Sequence, residues 1–253
     1  MPFSKRGAAG KKLFGLSTAD TEQSTEKKEV IVRALVPLVE GARSLLHIGA
    51  GDGALAIPLS RVVTRYVALD RRPTHLRALK AAGLEVIEGT FPCPVRTSRA
   101  LGVRTEGFAR VVACEIVPSR QDQLEAFITS AWSSVESQGA LILVVLDDED
   151  SEWRLLLEKL GLFEDSGIVP GRIDTIASML VGKGSLDMIA LGSVLVSDGY
   201  ADFIAELARI YLRGDAGHDR CFRATEALLK ARYWNGTSFL FPLTHLIYRC
   251  IRF

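Results

Sequence analysis

The stretch Leu45–Asp70, LLHIGAGDGALAIPLSRVVTRYVALD, leaves a chain few architectures to choose from. A short apolar run (SLLHI, Ser44–Ile48) stops at Gly49-Ala50-Gly51-Asp52-Gly53. A helical pattern follows over Ala54–Val63, and a second apolar run, Tyr66–Leu69, ends in Asp70. Apolar runs this short, bounded by glycines or an acid, read as strands buried on both faces. The glycines permit a tight turn and a close approach to the backbone. Strand, turn, helix and strand in this order make a parallel unit, because the crossover helix must pack back onto the sheet.

The pattern continues on both sides. A helix is expected from Thr25 to near Gly41, capped by Ser24 or Thr25, with acids in its first turn and Ile31, Leu35 and Leu38 on one face. Beyond Asp70, Thr74–Ala82 reads as a helix, EVIE (Glu85–Glu88) as a third strand and FARVVAC (Phe108–Cys114) as a fourth. Gln121–Val135 reads as a helix, ALILVVL (Ala140–Leu146) as a fifth strand and Ser151–Leu160 as a helix. Alternation at this spacing implies an α/β fold with a doubly wound, mostly parallel sheet covered on both faces. RIDTIASMLV (Arg172–Val181) reads as a sixth strand, and Ser238–Ile251 contains a last one, for seven in all. Between them, about 182–237, a helical insertion is expected, including Ala201–Leu212 and Thr225–Ala231. Residues 1–24 are polar and without period, and read as a flexible tail before one domain over 25–253. Lys5, Arg6, Lys11 and Lys12 precede its first acid, Asp20, which leaves a targeting segment as the rarer alternative.

Composition excludes several classes. Lys and Arg number 31 against 30 Asp and Glu, a balance unlike that of a protein living on phosphate-backbone contacts. The strongest apolar run, Ala140–Leu146, is far too short for a bilayer span, and the N-terminus carries no signal-peptide core. Cys93, Cys114, Cys221 and Cys250 form no CxxC pair, so reduced thiols in a cytoplasmic protein are expected. The Asn235-Gly236-Thr237 sequon then carries no meaning.

A carboxylate ending the second strand can accept both hydroxyls of a ribose, so the unit suits a nucleoside at the carboxyl edge of the sheet. A turn without a ligand is the competing account. Gly49, Gly51 and Ala54 satisfy the dinucleotide pattern GxGxxG/A, but Asp52 sits in the turn where a pyrophosphate would lie and would repel it. A cationic adenosine without phosphate suits Asp52 better; S-adenosylmethionine is such a molecule. On LLHIGAGDG, YVALD, GLEVIEGTFP, VVACEIVP and QGALILVVL the chain resembles the class I S-adenosylmethionine-dependent methyltransferases over roughly Thr25–Leu160. The resemblance implies a Rossmann-like fold. It also implies that Gly49, Ala50, Gly51, Asp52 and Gly53 pass along the methionine part and that Asp70, followed by Arg71, holds the ribose. Thr90 and Phe91 would lie near the adenine, and Cys114 and Glu115 would face the methyl. His47 stands where the family usually has an acid assisting the methionine ammonium, and Thr90 where an acid is common.

The acceptor is less constrained. The family's amino-methylating signature, Asp/Asn-Pro-Pro-Tyr/Phe, is absent after the fourth strand. Cys93, between Pro92 and Pro94, follows the third strand rather than the fourth, which weakens it as a nucleophile. Asp147, Asp148, Glu149 and Asp150 with Glu115 could hold Mg²⁺, but acids before a helix also favour its positive end, so no metal is expected. Of the 19 aromatics, 10 lie at or beyond Tyr200. Tyr233 and Trp234, with Phe239 and Phe241, could line an apolar pocket or form the core of a helical cap over the mouth of the sheet. That layout is similar to small-molecule methyltransferases of the histamine N-methyltransferase type. Glu115 and His218, the latter placed in a loop, are the candidates for proton removal. The expected function is methyl transfer from S-adenosylmethionine to a small-molecule amine or hydroxyl. An RNA or protein acceptor, and a non-catalytic scaffold on the same fold, are the alternatives.

Overall fold

The computed structural model describes residues 25–92, 107–118, 121–147, 152–159, 170–204 and 218–253. Seven strands form a sheet in the order β3-β2-β1-β4-β5-β7-β6. They are β1 (Leu45–Ile48), β2 (Tyr66–Asp70), β3 (Glu85–Glu88), β4 (Phe108–Cys114), β5 (Val135–Leu146), β6 (Ser185–Ser197) and β7 (Phe239–Ile251). The first five are parallel, and β7 pairs antiparallel with β5, Leu146 opposite His245. The helices are α1 (Thr25–Val39), α2 (Ala56–Ser60), α3 (Pro73–Ala81), α4 (Gln121–Ser133), α5 (Glu152–Lys159), α6 (Arg172–Val181) and α7 (His218–Tyr233). This is the doubly wound, mostly parallel α/β sheet expected from the alternation.

The chain divides into two compact units. The larger comprises Lys28–Leu146, Gly171–Leu191 and His245–Phe253. Its strands alternate their side chains between two cores, as the period of two requires. On one face Leu46, Ile48, Val111, Ala113, Leu141 and Leu143 pack under Leu124, Phe127 and Ile128 of α4 and Ile176 and Leu180 of α6. On the other, Leu45, Ala68, Val112, Ile142 and Val144 pack under Ile31, Leu35 and Val39 of α1, Ala56 and Leu59 of α2, and Leu79 of α3. Each Val, Leu or Ile so buried stabilises the fold by about 1.5–3 kcal/mol. Two-sided cover is why β1 and β2 are apolar without alternation.

Among the described residues, the smaller unit comprises 25–27, 147, 152–159, 170, 192–204 and 218–244. Its described core is aromatic. Phe203 stacks on Phe239 at 4.6 Å between ring centroids, and Tyr233 meets Phe241 edge-on at 5.0 Å. Phe239, Phe241 and Leu243 are buried in alternation along β7.

Two expectations are corrected. Arg172–Val181 is the helix α6, not a strand: Gly171 at φ 75° precedes it, and Arg172, Ile176 and Leu180 bury one face at a spacing of four. The sixth strand is Ser185–Ser197, inside the span expected to be helical, so the insertion between the last two strands begins after β6 rather than at 182. Helix there covers residues 200–204 and α7. The tail 1–24, Cys93, Asp148–Asp150, Ser151 and most of the segment Ala201–Leu212 lie outside the described residues. No helix among the described residues is long and apolar enough to cross a membrane.

Candidate functional site

The carboxyl edge of the larger unit's sheet carries the chemistry-bearing residues in strand order. After β1 the chain turns through Gly49, Gly51 and Gly53, at φ 70°, 64° and 104°, values that L side chains adopt only with strain. The turn is tied to β2: the N–H groups of Gly49 and Ala50 donate to the Leu69 carbonyl at 2.7 and 3.2 Å. A Cβ on Gly49 would lie 2.7 Å from Ile116 Cδ1, so this glycine is also a packing contact with the chain leaving β4. Gly51 differs, because a Cβ there would meet nothing nearer than the Gly49 carbonyl at 4.0 Å. Its backbone is open to a ligand.

Asp70 binds this turn from the end of β2. Its Oδ2 accepts the Gly51 N–H at 2.9 Å, its Oδ1 accepts the Arg72 N–H at 2.8 Å, and His75 Nδ1 lies 3.2 Å from Oδ2. Burial alone would raise the Asp70 carboxyl, but the Arg72 and Gly51 N–H groups and His75 outweigh it and hold the group below its ordinary range. Asp70 is therefore an anion with two strong donors already placed. A carboxylate has about four lone-pair sites, and with His75 beside Oδ2 at least one stays open to a further hydroxyl.

His47, in the middle of β1, is fully buried. Its Nδ1 lies 2.5 Å from the Tyr66 hydroxyl. Burial pushes its pKa down to about 4, with Asp70 pulling weakly the other way, so the imidazole is neutral at neutral pH. Burial also pushes Tyr66 up, which keeps its hydroxyl protonated and able to donate to Nδ1. The ring proton then falls to Nε2, which has no hydrogen-bond partner among the described residues. An orphaned buried donor, an open glycine turn and an ionised acid at the strand end fit an adenosine ligand bearing an amino-acid group.

Asp52 does something other than the sequence suggested. Its Oδ2 pairs with Lys28 Nζ at 3.0 Å and its Oδ1 accepts the Ala54 N–H at 3.0 Å. Its charge is matched by Lys28, so direct repulsion of a phosphate is a weak argument. A different one takes its place. The Ala54 N–H, a natural anion donor at the start of the helical segment, is already taken, and α2 is only five residues long. A pyrophosphate would find little of the N-terminal field it needs.

The remaining expected residues divide. Gly89 N–H donates to the Asp70 carbonyl at 3.0 Å, which brings the segment holding Thr90 and Phe91 to this edge. Thr90 is exposed, and Phe91, partly buried, packs edge-on against Phe127 of the core at 5.2 Å. Arg71 is exposed beyond β2, and Cys114 is buried at the end of β4. Glu115 follows it at φ 55°, rare for a residue with a side chain, and its Oε1 lies 2.9 Å from Nε2 of the fully buried His245. His218, expected in a loop, is the first residue of α7. Tyr233 is buried in the smaller unit among Phe203 and Phe241, whereas Trp234 is 38% exposed beside Phe239. Tyr233→Ala should therefore lower stability by about 3–5 kcal/mol, as truncating a buried aromatic does, and Trp234→Ala by far less. Denaturant titration of the two variants checks this.

Sequence reasoning passed over Lys28, Tyr66 and His245. Lys28 and Tyr66 act across long sequence separations that no local pattern announces. His245 sits in the largely apolar segment LTHLIY, and a titratable residue there was the available signal.

No family model matches the chain. It is 33% identical over 113 residues to a ubiquinone biosynthesis O-methyltransferase of Methylobacterium nodulans, a match covering 44% of each protein. The match thus spans less than half the length of that relative. By fold it is similar to the N-methyltransferase NodS from Bradyrhizobium japonicum WM9 in complex with S-adenosyl-L-homocysteine: TM-score 0.53, 11% identity, 97% of both chains. It is likewise similar to a SAM-dependent methyltransferase from Thermotoga maritima described as a possible histamine N-methyltransferase: TM-score 0.53, 15% identity, 94% of this chain and 97% of that one.

Proposed function

We propose that the protein transfers a methyl group from S-adenosylmethionine to a hydroxyl of a small molecule. The observation that carries this reading is the Asp70–Gly51 cradle at the carboxyl edge, open where a Cβ would stand and ionised where a ribose would lie. Support for the cofactor comes from a structural neighbour that binds its demethylated product, and support for a hydroxyl acceptor from a relative named an O-methyltransferase. The balanced charge of the chain favours a small acceptor over RNA.

Asp70 would hold the ribose, Gly49–Gly53 would border the methionine part, and Thr90 and Phe91 would flank the adenine. His47, neutral at pH 7, does not oppose an ammonium group, so the missing acid does not by itself make the fold a scaffold. Bound there, S-adenosylmethionine supplies a methyl activated by its sulfonium. The protein's part is to align the acceptor with that methyl and exclude water.

Incubation with methyl-labelled S-adenosylmethionine and two probes, catechol and phenethylamine, tests the reading. Label is expected in catechol. Label in phenethylamine alone would turn the assignment to an amine, and label in neither, with S-adenosylhomocysteine bound, would favour the scaffold.

A further inference from the structure

Resting on the reading of a hydroxyl acceptor, we infer that Glu115 takes the acceptor's proton and that His245 is the positioning residue that holds it. Along the carboxyl edge, β2 ends in Asp70, β1 runs on into the glycine turn and β4 into Glu115. Strands lie about 4.8 Å apart, so β4 stands roughly 10 Å from β2, away from the ribose end. The Glu115 N–H donates to the Val144 carbonyl at 2.9 Å, which fixes its backbone against β5. Its side chain reaches across β5 to His245 on β7, itself paired with Leu146. The carboxylate is 34% exposed while the imidazole is fully buried. Glu115 is thus the member of the pair that a ligand can touch, and His245 the member that only the protein can.

The backbone supports a functional account. Glu115 stands at φ 55°, a conformation costing a non-glycine residue about 1–2 kcal/mol. A glycine would relieve that strain but would carry no carboxylate. Such outliers cluster where a site needs one particular side chain in one place. The neighbouring Ile116 is pinned over Gly49, so the chain leaving β4 is held against the glycine turn. One carboxylate oxygen meets His245. As the acceptor's O–H bond breaks, the electron pair stays on oxygen, the nucleophile. The proton resides on Glu115, which passes from anion to neutral acid, and then leaves to water.

The test compares wild type with Glu115→Gln, His245→Leu and His245→Gln, the last keeping an N–H donor near the Nε2 position. Affinity for S-adenosylhomocysteine is measured first as a control of fold and cofactor site, and should be unchanged in all. Binding of catechol and of 1,2-dimethoxybenzene to the S-adenosylhomocysteine-loaded protein is then measured by calorimetry. Wild type should prefer catechol by about 10- to 100-fold, the worth of one hydrogen bond to a charged group. Glu115→Gln should erase most of the preference and lower kcat for catechol. His245→Leu should do the same in part, and His245→Gln should restore it. Glu115→Gln retaining both the preference and kcat would overturn the proposal while leaving the methyltransferase reading intact. A wild type that binds S-adenosylhomocysteine but neither prefers nor methylates catechol would overturn the hydroxyl reading and this proposal together.

Discussion

Asp70→Ala should weaken S-adenosylhomocysteine binding by about 10- to 100-fold and should also lower the melting temperature. The first effect is the loss of hydrogen bonds to a charged acceptor, about 1.5–3 kcal/mol. The second follows from the structure. Asp70 accepts the N–H groups of Gly51 and Arg72, and without it those donors lose the partner that shapes the glycine turn. Asp70→Asn separates the two effects. An amide oxygen can still accept one of these N–H groups, but its NH₂ opposes the other and carries no charge. Its fold should be nearer wild type while its affinity stays low. Calorimetry and thermal melts on both variants give the answer. An Asp70→Asn protein that folds and binds as tightly as wild type would remove Asp70 from the cofactor site.

Stability should fall as pH drops from about 6.5 towards 4, and His47 should account for the fall. In the unfolded chain this imidazole titrates near 6.5; in the folded protein burial holds it down to about 4. Above 6.5 neither state binds the proton, and the contribution is fully present. Below 6.5 the unfolded state binds a proton that the folded state refuses, so the native state loses ground until both are protonated below 4. The loss is of order 3 kcal/mol, since each tenfold difference in proton affinity between the two states is worth about 1.4 kcal/mol. Asp70 acts in a lower window, because its depressed carboxyl gives stability that is lost only as pH falls below the ordinary carboxylate range. His47→Gln should flatten the curve between 4 and 6.5 and leave the lower limb. Urea unfolding of both proteins across this range measures it. An equal slope in His47→Gln would mean that the buried imidazole does not carry the dependence.

The parts of the fold legible in the sequence were those where burial is two-sided. YVAL and ALILVVL are continuous apolar runs, and LLHI is one but for His47, because helices cover both faces, and each is stopped by a glycine or an acid. The C-terminal third obeys other rules. RIDTIASMLV carries β-branched and apolar residues close together, and only its buried spacing of four, Arg172, Ile176 and Leu180, marks it as helix. SLDMIALGSVLVS contains good helix formers but is the edge strand β6, with Met188 and Ile189 exposed, so the usual in–out alternation is missing from its first half.

The site divides in the same way. The glycine turn and Asp70 are neighbours through one βαβ unit, and their roles follow from local order. The ion pair of Lys28 with Asp52 and the pairing of Glu115 with His245 join residues 24 and 130 positions apart. Only the sheet order, which sets β7 beside β5 and β5 beside β4, brings the second pair together.

The proposed S-adenosylmethionine site lies at this edge of the sheet. Calorimetric titration of the full chain with S-adenosylhomocysteine tests it most directly, with NAD titrated in parallel. One saturable site for S-adenosylhomocysteine and no heat from NAD are expected. Binding of NAD in its place, or no binding of S-adenosylhomocysteine by a folded protein, would contradict it.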